Sequence, residues 1–323
     1  MSKYTVIVTD HDFENLDIER QRLGDIAEVR TLSERTEQDN MSSREHLATA
    51  DAIINLRYQL NTEDIAIMNK CNVISRYGIG VDNIDTEAAA RQEIPVTNVP
   101  DYCKEEVANH VMMLLLAFAR SLNSYHKDVT MGNWDRSVGT PIHRFSTQTV
   151  GIVGYGTIGR EVGHRAAALG AEVVVTDPFL DPEDVSDDPV QLVEFDQLLN
   201  QGDFITIHSP LTEATRGMFN QDVFSRMKRS SYLINVARGP IVDDDDLLAA
   251  LDNGKISGAG VDVFSSEPPR EDNPLRDHNK VLATPHVAWY SEEANNERRR
   301  TVSQIVHTVL TGGDAYNIVN ETK

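Results

Sequence analysis

The sequence predicts an α/β protein of two domains, each built on a doubly wound parallel sheet, and three observations support this class. Short β-branched runs alternate with longer helical patterns along the chain. Runs such as TVGIVGYG and DFITIHSP are apolar without alternation, which is typical of strands covered by helices on both faces. With 323 residues, of which 40% are apolar, the chain is long enough for two such domains.

The domain boundary is predicted from the order of these patterns. A second series of strands begins at Thr149, after a helical stretch predicted from about Lys104 to Ser124. The last helix, predicted from about Ser291 to Thr311, follows the final strand of the second series, and we expect it to pack back on the first domain. The first domain is therefore expected over residues 1–103 and about 291–323, and the second over 104–290.

Charge limits the partners that the protein can have. The chain carries 51 acidic and 30 basic residues, a formal net charge of −21, so nucleic acid and anionic membrane surfaces would be repelled. We expect neither as a partner. Asp outnumbers Glu and Arg outnumbers Lys, a bias that suits a protein working in high salt, where screening weakens self-repulsion. The composition therefore favours a halophilic source.

Cysteine usage and the apolar runs indicate a cytoplasmic protein. Cys71 and Cys103 have neither metal-ligand spacing nor the density of a disulfide scaffold, which fits a reducing compartment. The start MSKYTVIVTDHDFENLD lacks the basic residues and long apolar stretch of a signal peptide. The longest apolar run, from Val111 to Ala119, is shorter than a membrane span requires. We also expect no metal site.

The stretch TVGIVGYGTIGREVGHRAAALGAEVVVTD contains a dinucleotide-binding fingerprint. A G-x-G-x-x-G loop lies between a predicted strand and a predicted helix, and the next strand ends at Asp177. Such a loop places a pyrophosphate on the amides at the helix N-terminus, and the acid binds the ribose hydroxyls and repels a 2′-phosphate. The predicted cofactor is therefore NAD, contacted by Gly154, Tyr155, Gly156, Thr157, Ile158, Gly159 and Asp177.

Three later segments, INVARGPIVDDDDL, GAGVDVFSSEPP and ATPHVAWYSEE, end predicted strands at the same sheet edge. Because ligands bind beyond the carboxyl ends of parallel strands, we expect Arg238, Asp262, Glu267 and His286 near the nicotinamide. A guanidinium can bind a carboxylate through two hydrogen bonds, and a histidine can transfer a proton near neutral pH. This combination suits hydride transfer to a 2-oxo acid. Taken singly, each residue has a structural alternative in an ion pair, a turn or a cap.

Together these motifs resemble those of the D-isomer-specific 2-hydroxyacid dehydrogenase family. The likeness runs through SRYGIGVDNID, NVPDYCKEEVANH, the glycine loop, HSPLTEAT, NVARGPIVD, GVDVFSSEPP and TPHVAWYSE. RYGIGVDNID and AWYSE are most similar to the C-terminal-binding-protein branch and its microbial dehydrogenase relatives. The resemblance implies two Rossmann-like domains, the first flavodoxin-like and the second binding NAD. It also implies an active site in the cleft between them and a dimer formed through the NAD-binding domain.

The resemblance also implies roles for individual residues. Arg238 would bind the substrate carboxylate and carbonyl oxygen, His286 would exchange a proton with the C2 oxygen, and Glu267 would pair with His286. Since Glu267 favours the imidazolium form, reduction is expected to be favoured at lower pH than oxidation. Implied substrate contacts are Arg76, Tyr77, Gly78, Ile79, Gly80 and Trp289. Further implied cofactor contacts are His208, Pro210, Thr215, Val236, Ala237, Arg238, Asp262 and His286.

Two tryptophans and an acidic run also need an interpretation, and a structural role is possible for each of them. Trp289 would be a flat wall favouring an apolar or thioether substrate tail, or it would pack in the core. Trp134 has no motif around it and is predicted to pack. The run Asp243–Asp246 resembles a metal cluster, but acids at the start of a helix are explained by capping and by the positive helix terminus.

Several functions fit this pattern. An NAD-dependent dehydrogenase of a D-2-hydroxy acid leads, and oxidation of D-3-phosphoglycerate ranks second because no further domain follows Lys323 and no basic cluster is evident for a phosphate. Formate oxidation is disfavoured, since the family's formate enzymes lack the acid partner that Glu267 provides. An NAD-sensing, corepressor-like binding protein is the alternative from another class.

Overall fold

The structure is a computed structural model that describes residues 3–32 and 42–320, and the chain divides into two compact units. The first unit comprises Met1–Cys103 and Ser291–Lys323, and the second comprises Lys104–Tyr290. The first unit is thus assembled from two separate stretches of the chain, whereas the second is a single continuous segment.

The first unit contains a five-stranded parallel sheet in the order β2-β1-β3-β4-β5. Its strands are β1 Tyr4–Val8, β2 Ala27–Thr31, β3 Ala52–Asn55, β4 Ile74–Arg76 and β5 Val96–Thr97. Its helices are α1 Asp17–Leu23, α2 Ser43–Thr49, α3 Thr62–Ile65, α4 Thr86–Arg91 and, from the second stretch, α11 Glu292–Leu310. This strand order is the one found in flavodoxin-like sheets.

The final helix, α11, packs against α1 within the first unit. Its N-terminus is capped by Ser291, whose side chain accepts a hydrogen bond from the amide of Ala294. Val302, Ile305 and Val306 on its inner face are fully buried. The predicted final helix is therefore confirmed to within one residue at each end.

A buried ion pair joins α1 to α11. The Glu19 carboxylate accepts Nε of Arg299 at 2.9 Å and Nη2 of Arg299 at 2.8 Å, and it also accepts the Tyr77 hydroxyl at 2.9 Å. The Arg299 guanidinium lies 4.3 Å from the centroid of the Phe13 ring. Glu19 is fully buried, and a charge in such a place is tolerated only when it is paired and hydrogen-bonded. The pair thus fixes the loop after β4, which begins with Tyr77.

The second unit contains a seven-stranded parallel sheet in the order β12-β11-β10-β9-β6-β7-β8. Its strands are β6 Thr149–Val153, β7 Glu172–Thr176, β8 Gln191–Leu192, β9 Phe204–Ile207, β10 Tyr232–Asn235, β11 Gly258–Val261 and β12 Val281–Ala283. Its helices are α5 Lys104–Ala119, α6 Leu122–Thr130, α7 Thr157–Ala168, α8 Phe195–Gln201, α9 Gln221–Arg226 and α10 Asp244–Asp252. The strand order reverses between β6 and β9, the point at which open α/β sheets bind ligands.

Successive residues of β7 show why the strands of the second unit are apolar throughout. Val173 and Val175 pack in the cluster that contains residues of α5 and α7, whereas Val174 packs in the cluster on the other face with residues of α8, α9 and α10. Because side chains of a strand alternate between faces, a sheet covered on both sides needs apolar residues at every position. The predicted parallel, doubly covered sheet is confirmed.

Two details differ from the sequence prediction. The helix expected from Lys104 to Ser124 is two helices, because the chain turns at Ser121, whose φ is 51° and whose hydroxyl donates to the carbonyl of Gly139. Trp134 does not pack, since 91% of its surface is exposed in the loop that follows α6. The prediction that Trp134 packs against its own chain was wrong, since the ring lies on the surface of the second unit.

Within the described ranges, the structure contains no helix whose length and apolarity would suffice to cross a bilayer. The run of four aspartates starts α10, and Asp243 accepts the amide of Asp246 as the N-cap. The capping interpretation of this run is confirmed.

Candidate active site

The carboxyl ends of the parallel strands of the second unit bring most of the predicted site residues to one sheet edge. The glycine loop follows β6, Asp177 follows β7, and His208 follows β9. The segments after the next three strands carry the remaining candidates, namely Val236, Ala237 and Arg238 after β10, Asp262 and Glu267 after β11, and His286 after β12. The topology therefore groups these residues although more than a hundred positions separate the first from the last.

The glycine loop has the backbone that its fingerprint requires. Gly154 has a φ of 88°, and a Cβ there would lie 2.7 Å from the amide nitrogen of Ser209. A Cβ at Gly159 would lie 2.4 Å from the carbonyl oxygen of Gly154, so only glycine allows α7 to approach β6 so closely. No described atom lies within 4 Å of a Cβ placed at Gly156. The loop is therefore open at its second glycine, where a pyrophosphate needs to approach.

Two backbone amides orient the carboxylate of Asp177, one of them from the glycine loop. Its Oδ2 accepts the amide of Tyr155 at 2.9 Å, and its Oδ1 accepts the amide of Phe179 at 3.0 Å. A carboxylate offers about four acceptor positions, so two hydrogen bonds leave capacity for two hydroxyl groups. The carboxylate is thus oriented by the protein and is still able to bind a diol.

The segments after β11 and β12 form a histidine–carboxylate pair. Nδ1 of His286 lies 2.6 Å from Oε2 of Glu267, and 35% and 36% of these two side chains remain exposed. The other carboxylate oxygen, Oε1, accepts the amide of Phe264 at 3.2 Å. Because Nδ1 is engaged by Glu267, Nε2 is the ring nitrogen that can exchange a proton with a ligand.

The groups around Glu267 shift its pKa. Burial raises the pKa of Glu267, but the hydrogen bond and charge of His286, the amide of Phe264 and the charge of Arg238 together lower it below its ordinary value of 4.5. The carboxylate is therefore ionised at neutral pH. The contribution of Arg238 places a third predicted residue within electrostatic reach of the pair.

The backbone of His286 adopts a left-handed conformation that few non-glycine residues adopt, with a φ of 54°. Asp262 fixes it: the Asp262 carbonyl accepts the amide of His286 at 2.8 Å, and the carboxylate accepts the amides of Val287 and Ala288, each at 2.9 Å. The indole Nε1 of Trp289 donates to the carbonyl of His286 at 2.8 Å. Asp262 and Trp289 therefore hold the turn that carries the histidine, and their predicted ligand contacts stay predictions.

Arg238 is placed by two neighbours that the sequence analysis did not identify. Asn235, at the end of β10, donates to the carbonyl of Arg238 at 2.9 Å and accepts the amide of Ala237 at 3.1 Å. A Cβ at Gly239 would lie 2.0 Å from the carbonyl carbon of Phe264, so the loop of Arg238 packs tightly on the segment before Glu267. The asparagine was detectable only as a polar residue ending an apolar strand.

The remaining predicted contacts have varied surroundings. Burial lowers the pKa of His208 to about 3, so its ring is neutral, and its Nε2 lies 3.0 Å from Oγ1 of Thr206. The Thr215 hydroxyl donates to the carbonyl of Pro210 at 2.7 Å, which closes the HSPLTEAT loop. In the first unit, Tyr77 is fully buried and its hydroxyl donates to Glu19, so the predicted substrate contact of Tyr77 stays a prediction.

A parallel sheet with this reversal of strand order, a glycine loop at the reversal and an oriented acid after the next strand define a dinucleotide-binding α/β domain. Residues 112–288 match the family model for the D-isomer specific 2-hydroxyacid dehydrogenase, NAD binding domain. The chain therefore belongs to the D-isomer-specific 2-hydroxyacid dehydrogenase family. The family and the NAD-binding domain predicted from the motifs are confirmed.

Known relatives extend the match beyond this domain. D-3-phosphoglycerate dehydrogenase from Methanocaldococcus jannaschii is 36% identical over 300 residues, covering 92% of this chain and 56% of the relative. Glycerate dehydrogenase from Methylorubrum extorquens is 37% identical over 257 residues, covering 77% and 79%. The crystal structure of D-lactate dehydrogenase from Aquifex aeolicus has a TM-score of 0.86 at 28% identity, covering 95% and 96%. The chain spans about half the length of the first curated relatives that it matches.

Proposed function

We propose that the protein is an NAD-dependent dehydrogenase that interconverts a D-2-hydroxy acid and its 2-oxo acid. The observation that carries this proposal is the 2.6 Å contact between His286 and Glu267, in a pair that remains about one-third exposed at the sheet edge that also carries the glycine loop. A histidine that is oriented by a carboxylate and still reachable is suited to acid–base chemistry. The charge of Arg238 acts on the same pair.

In the direction of 2-oxo acid reduction, the side chains have separate tasks. The Arg238 guanidinium binds the substrate carboxylate and fixes the position of C2. NAD(H), when bound, supplies the hydride that forms the new C–H bond at C2. Nε2 of His286 donates its proton to the C2 oxygen as negative charge develops there, and Glu267 stabilises the imidazolium before this transfer. Oxidation runs the same steps in reverse, so the neutral ring is then the base.

We propose NAD rather than NADP as the cofactor. The support comes from Asp177, whose carboxylate is oriented by the amides of Tyr155 and Phe179 and retains acceptor capacity for two ribose hydroxyls. A 2′-phosphate would meet this negative charge directly. The open space at Gly156 suits the pyrophosphate.

The substrate is proposed to be a small D-2-hydroxy acid, with two candidates. The similarity to enzymes named D-3-phosphoglycerate dehydrogenase and glycerate dehydrogenase favours hydroxylated three-carbon acids. The likeness of AWYSE to the C-terminal-binding-protein branch favours an apolar tail beside Trp289. The contacts predicted for Arg76 and residues 77–80 would contribute to this choice and remain predictions.

NADH oxidation with a panel of 2-oxo acids tests the proposal. The panel contains phenylpyruvate, a methylthio-substituted oxobutyrate, hydroxypyruvate, 3-phosphohydroxypyruvate and glyoxylate. We expect 2-oxo acid reduction to be faster at lower pH and oxidation of the matching D-2-hydroxy acid to be faster at higher pH, because reduction consumes a proton that oxidation releases. Tight NADH binding without turnover on any member would instead favour the NAD-sensing binding protein.

We further propose a homodimer formed through the second unit. Its support is a set of exposed apolar side chains on α5, α6 and the following loop, namely Met113, Leu116, Leu122, Val129, Met131, Trp134 and Val138. Light scattering should give twice the 36.0 kDa mass of one chain. Replacing Trp134 and Met131 with Ser should shift the equilibrium towards the monomer, and an unchanged dimer would place the interface elsewhere.

Location and salt adaptation are also proposals. Cys71 and Cys103 are both buried thiols in the described part of the chain, which suits the reducing cytoplasm. The net charge of −21 suits high salt, because screening weakens the repulsion between acidic side chains. A protein adapted in this way should unfold more readily at low ionic strength than in molar salt. Equal stability in both would count against halophilic adaptation.

A further inference from the structure

We propose that His110, on α5, is a positioning residue that orients Thr284 and Asp262 and thereby the turn carrying His286. This inference rests on the proposed function, in which His286 exchanges a proton with the substrate. His110 ends the NVPDYCKEEVANH motif, and no ligand contact is predicted for it. Its side chain lies beside residues that follow β11 and β12 rather than pointing to solvent.

The three side chains form a continuous chain of contacts. Nε2 of His110 lies 3.0 Å from Oγ1 of Thr284, and that hydroxyl donates to Oδ1 of Asp262 at 2.5 Å. His110 Nε2 also lies 3.8 Å from Asp262 Oδ1. Only 12% of the His110 side chain and none of the Asp262 side chain is exposed, so water cannot easily replace these contacts.

The direction of each hydrogen bond follows from the number of protons. A carboxylate only accepts, so the single hydroxyl proton of Thr284 is committed to Asp262. Thr284 must then accept from His110, which requires the proton of a neutral His110 to reside on Nε2. The order of donation is therefore His110 to Thr284 to Asp262, and the tautomer of His110 is determined by it.

Asp262 is hydrogen-bonded to the turn that carries His286, the proposed acid–base residue. Its carboxylate also accepts the amides of Val287 and Ala288, and its carbonyl accepts the amide of His286. These contacts hold the left-handed φ of 54° at His286. His110 thus connects a turn of unfavourable backbone conformation to α5, a 16-residue helix that packs against α7 and β10.

The donor is present in both protonation states of His110. Burial lowers the pKa of His110, while the charge of Asp262 raises it in opposition. A neutral ring keeps its proton on Nε2, and an imidazolium carries one there as well. The role is therefore one of orientation, and the titration of His110 is not needed for it.

Kinetics of matched variants test the inference. His110→Met removes the donor while retaining a long apolar side chain, and His110→Gln restores an N–H group at a similar distance from the backbone. We expect kcat of His110→Met to fall about tenfold or more, because small displacements of a reacting group are costly. The Kd for NADH should remain within about twofold, and His110→Gln should recover most of kcat.

A double-mutant cycle tests whether His110 acts through Thr284. Thr284→Val removes the hydroxyl at nearly constant shape, so Thr284→Val and the double variant should lose about the same kcat as His110→Met. Additive losses, or wild-type kcat in His110→Met, would overturn the inference. Equal unfolding midpoints and NADH stoichiometry are required so that misfolded protein is not counted.

A spectroscopic measurement makes the inference independent of turnover. In protein labelled with ¹⁵N-histidine, the neutral His110 ring should show a protonated Nε2 and an unprotonated Nδ1. In Thr284→Val this preference should weaken. The opposite tautomer in the wild type would overturn the inference, whereas absence of turnover on every 2-oxo acid would overturn the proposed function and leave the tautomer result readable.

Discussion

Two pairs of a carboxylate with a basic side chain differ mainly in burial and in the identity of the basic residue. In the first unit, Glu19 and Arg299 make two charge-assisted hydrogen bonds, and at most 8% of either side chain is exposed. In the second unit, Glu267 and His286 make one contact of 2.6 Å, and about a third of each side chain is exposed. The first pair connects α1 to α11 inside the first unit, whereas the second pair leaves a ring nitrogen within reach of a ligand.

The difference shows why one pair is suited to a structural role and the other to proton transfer. An arginine keeps its proton at any pH that the protein meets, so the Glu19 pair cannot transfer one. A histidine changes charge near neutrality, but it can use this property only where a substrate can reach it. The buried pair with arginine therefore connects two helices of the first unit, whereas partial exposure beside a histidine is what the proposed proton transfer requires.

The largest expected effect comes from removing the exchangeable proton. His286→Gln should reduce kcat about 10²- to 10⁴-fold, because general acid–base catalysis contributes that much. NADH binding and the free energy of unfolding should change little, since a third of the side chain is already exposed. Stopped-flow and steady-state kinetics measure the loss of kcat. A decrease of less than about fivefold would show that His286 does not transfer the proton.

The second largest effect is a loss of stability, and we expect it only when the buried pair of Glu19 and Arg299 is broken. Glu19→Gln leaves the Arg299 charge buried without its counter-charge, so the free energy of unfolding should fall by about 3–5 kcal/mol. Urea denaturation measures this change. The control combines Glu19→Leu with Arg299→Met, which should recover part of the loss because neither charge remains. A loss below 1 kcal/mol for Glu19→Gln would contradict the distinction between the two pairs.

An intermediate effect is expected for Glu267→Gln. Replacing a buried carboxylate that orients a catalytic histidine costs about 10⁴-fold, but partial exposure of Glu267 should limit the loss of kcat to about 10- to 100-fold. Stability at neutral pH should change by less than about 1 kcal/mol. Equal kcat values for the variant and the wild type would show that the contact does not assist proton transfer.

The pH dependence of the Glu267 pair follows from the sign of its shift. Folding lowers the pKa of Glu267 below 4.5, because the contacts with His286, Phe264 and Arg238 outweigh burial. The pair therefore stabilises the fold above the ordinary pKa of a free carboxyl, and this contribution disappears as pH falls through the lowered value. Acid unfolding of Glu267→Gln should lack that component, which a comparison of the two titrations measures.

The smallest effect is expected at a fully solvated pair. Arg270 and Asp272 make hydrogen bonds of 3.0 and 2.7 Å, but 79% and 69% of their side chains are exposed. Arg270→Ala should change the free energy of unfolding by less than about 0.5 kcal/mol, since such pairs contribute little. A change as large as that of Glu19→Gln would show that burial does not govern these contributions.

Local patterns were sufficient to predict the class of fold and the strand ends that carry the candidate site. The glycine loop, Asp177, Arg238, Glu267 and His286 all follow continuous apolar runs, which are the strongest signal of a parallel strand. No such run marks strand β2, whose residues alternate between buried and exposed, or the two-residue β5, and both are edge strands of the first sheet.

Contacts between distant parts of the chain were not predictable in the same way. Glu19 and Arg299 are 280 positions apart, and His110 and Thr284 are 174 apart, so no local pattern connects them. The break at Ser121 depends on a hydrogen bond to Gly139. Such features follow from tertiary packing, and a single sequence shows the residues without showing that they meet.

The discontinuous first unit has a consequence for the order in which the protein is made. Ribosomes release the chain from its N-terminus, so Glu19 emerges long before Arg299, the charged partner to which it is hydrogen-bonded. The whole second unit is synthesised in between, and it can complete its own sheet first. The segment that carries Glu19 therefore emerges without its counter-charge, which arrives only when the helix of Arg299 is synthesised.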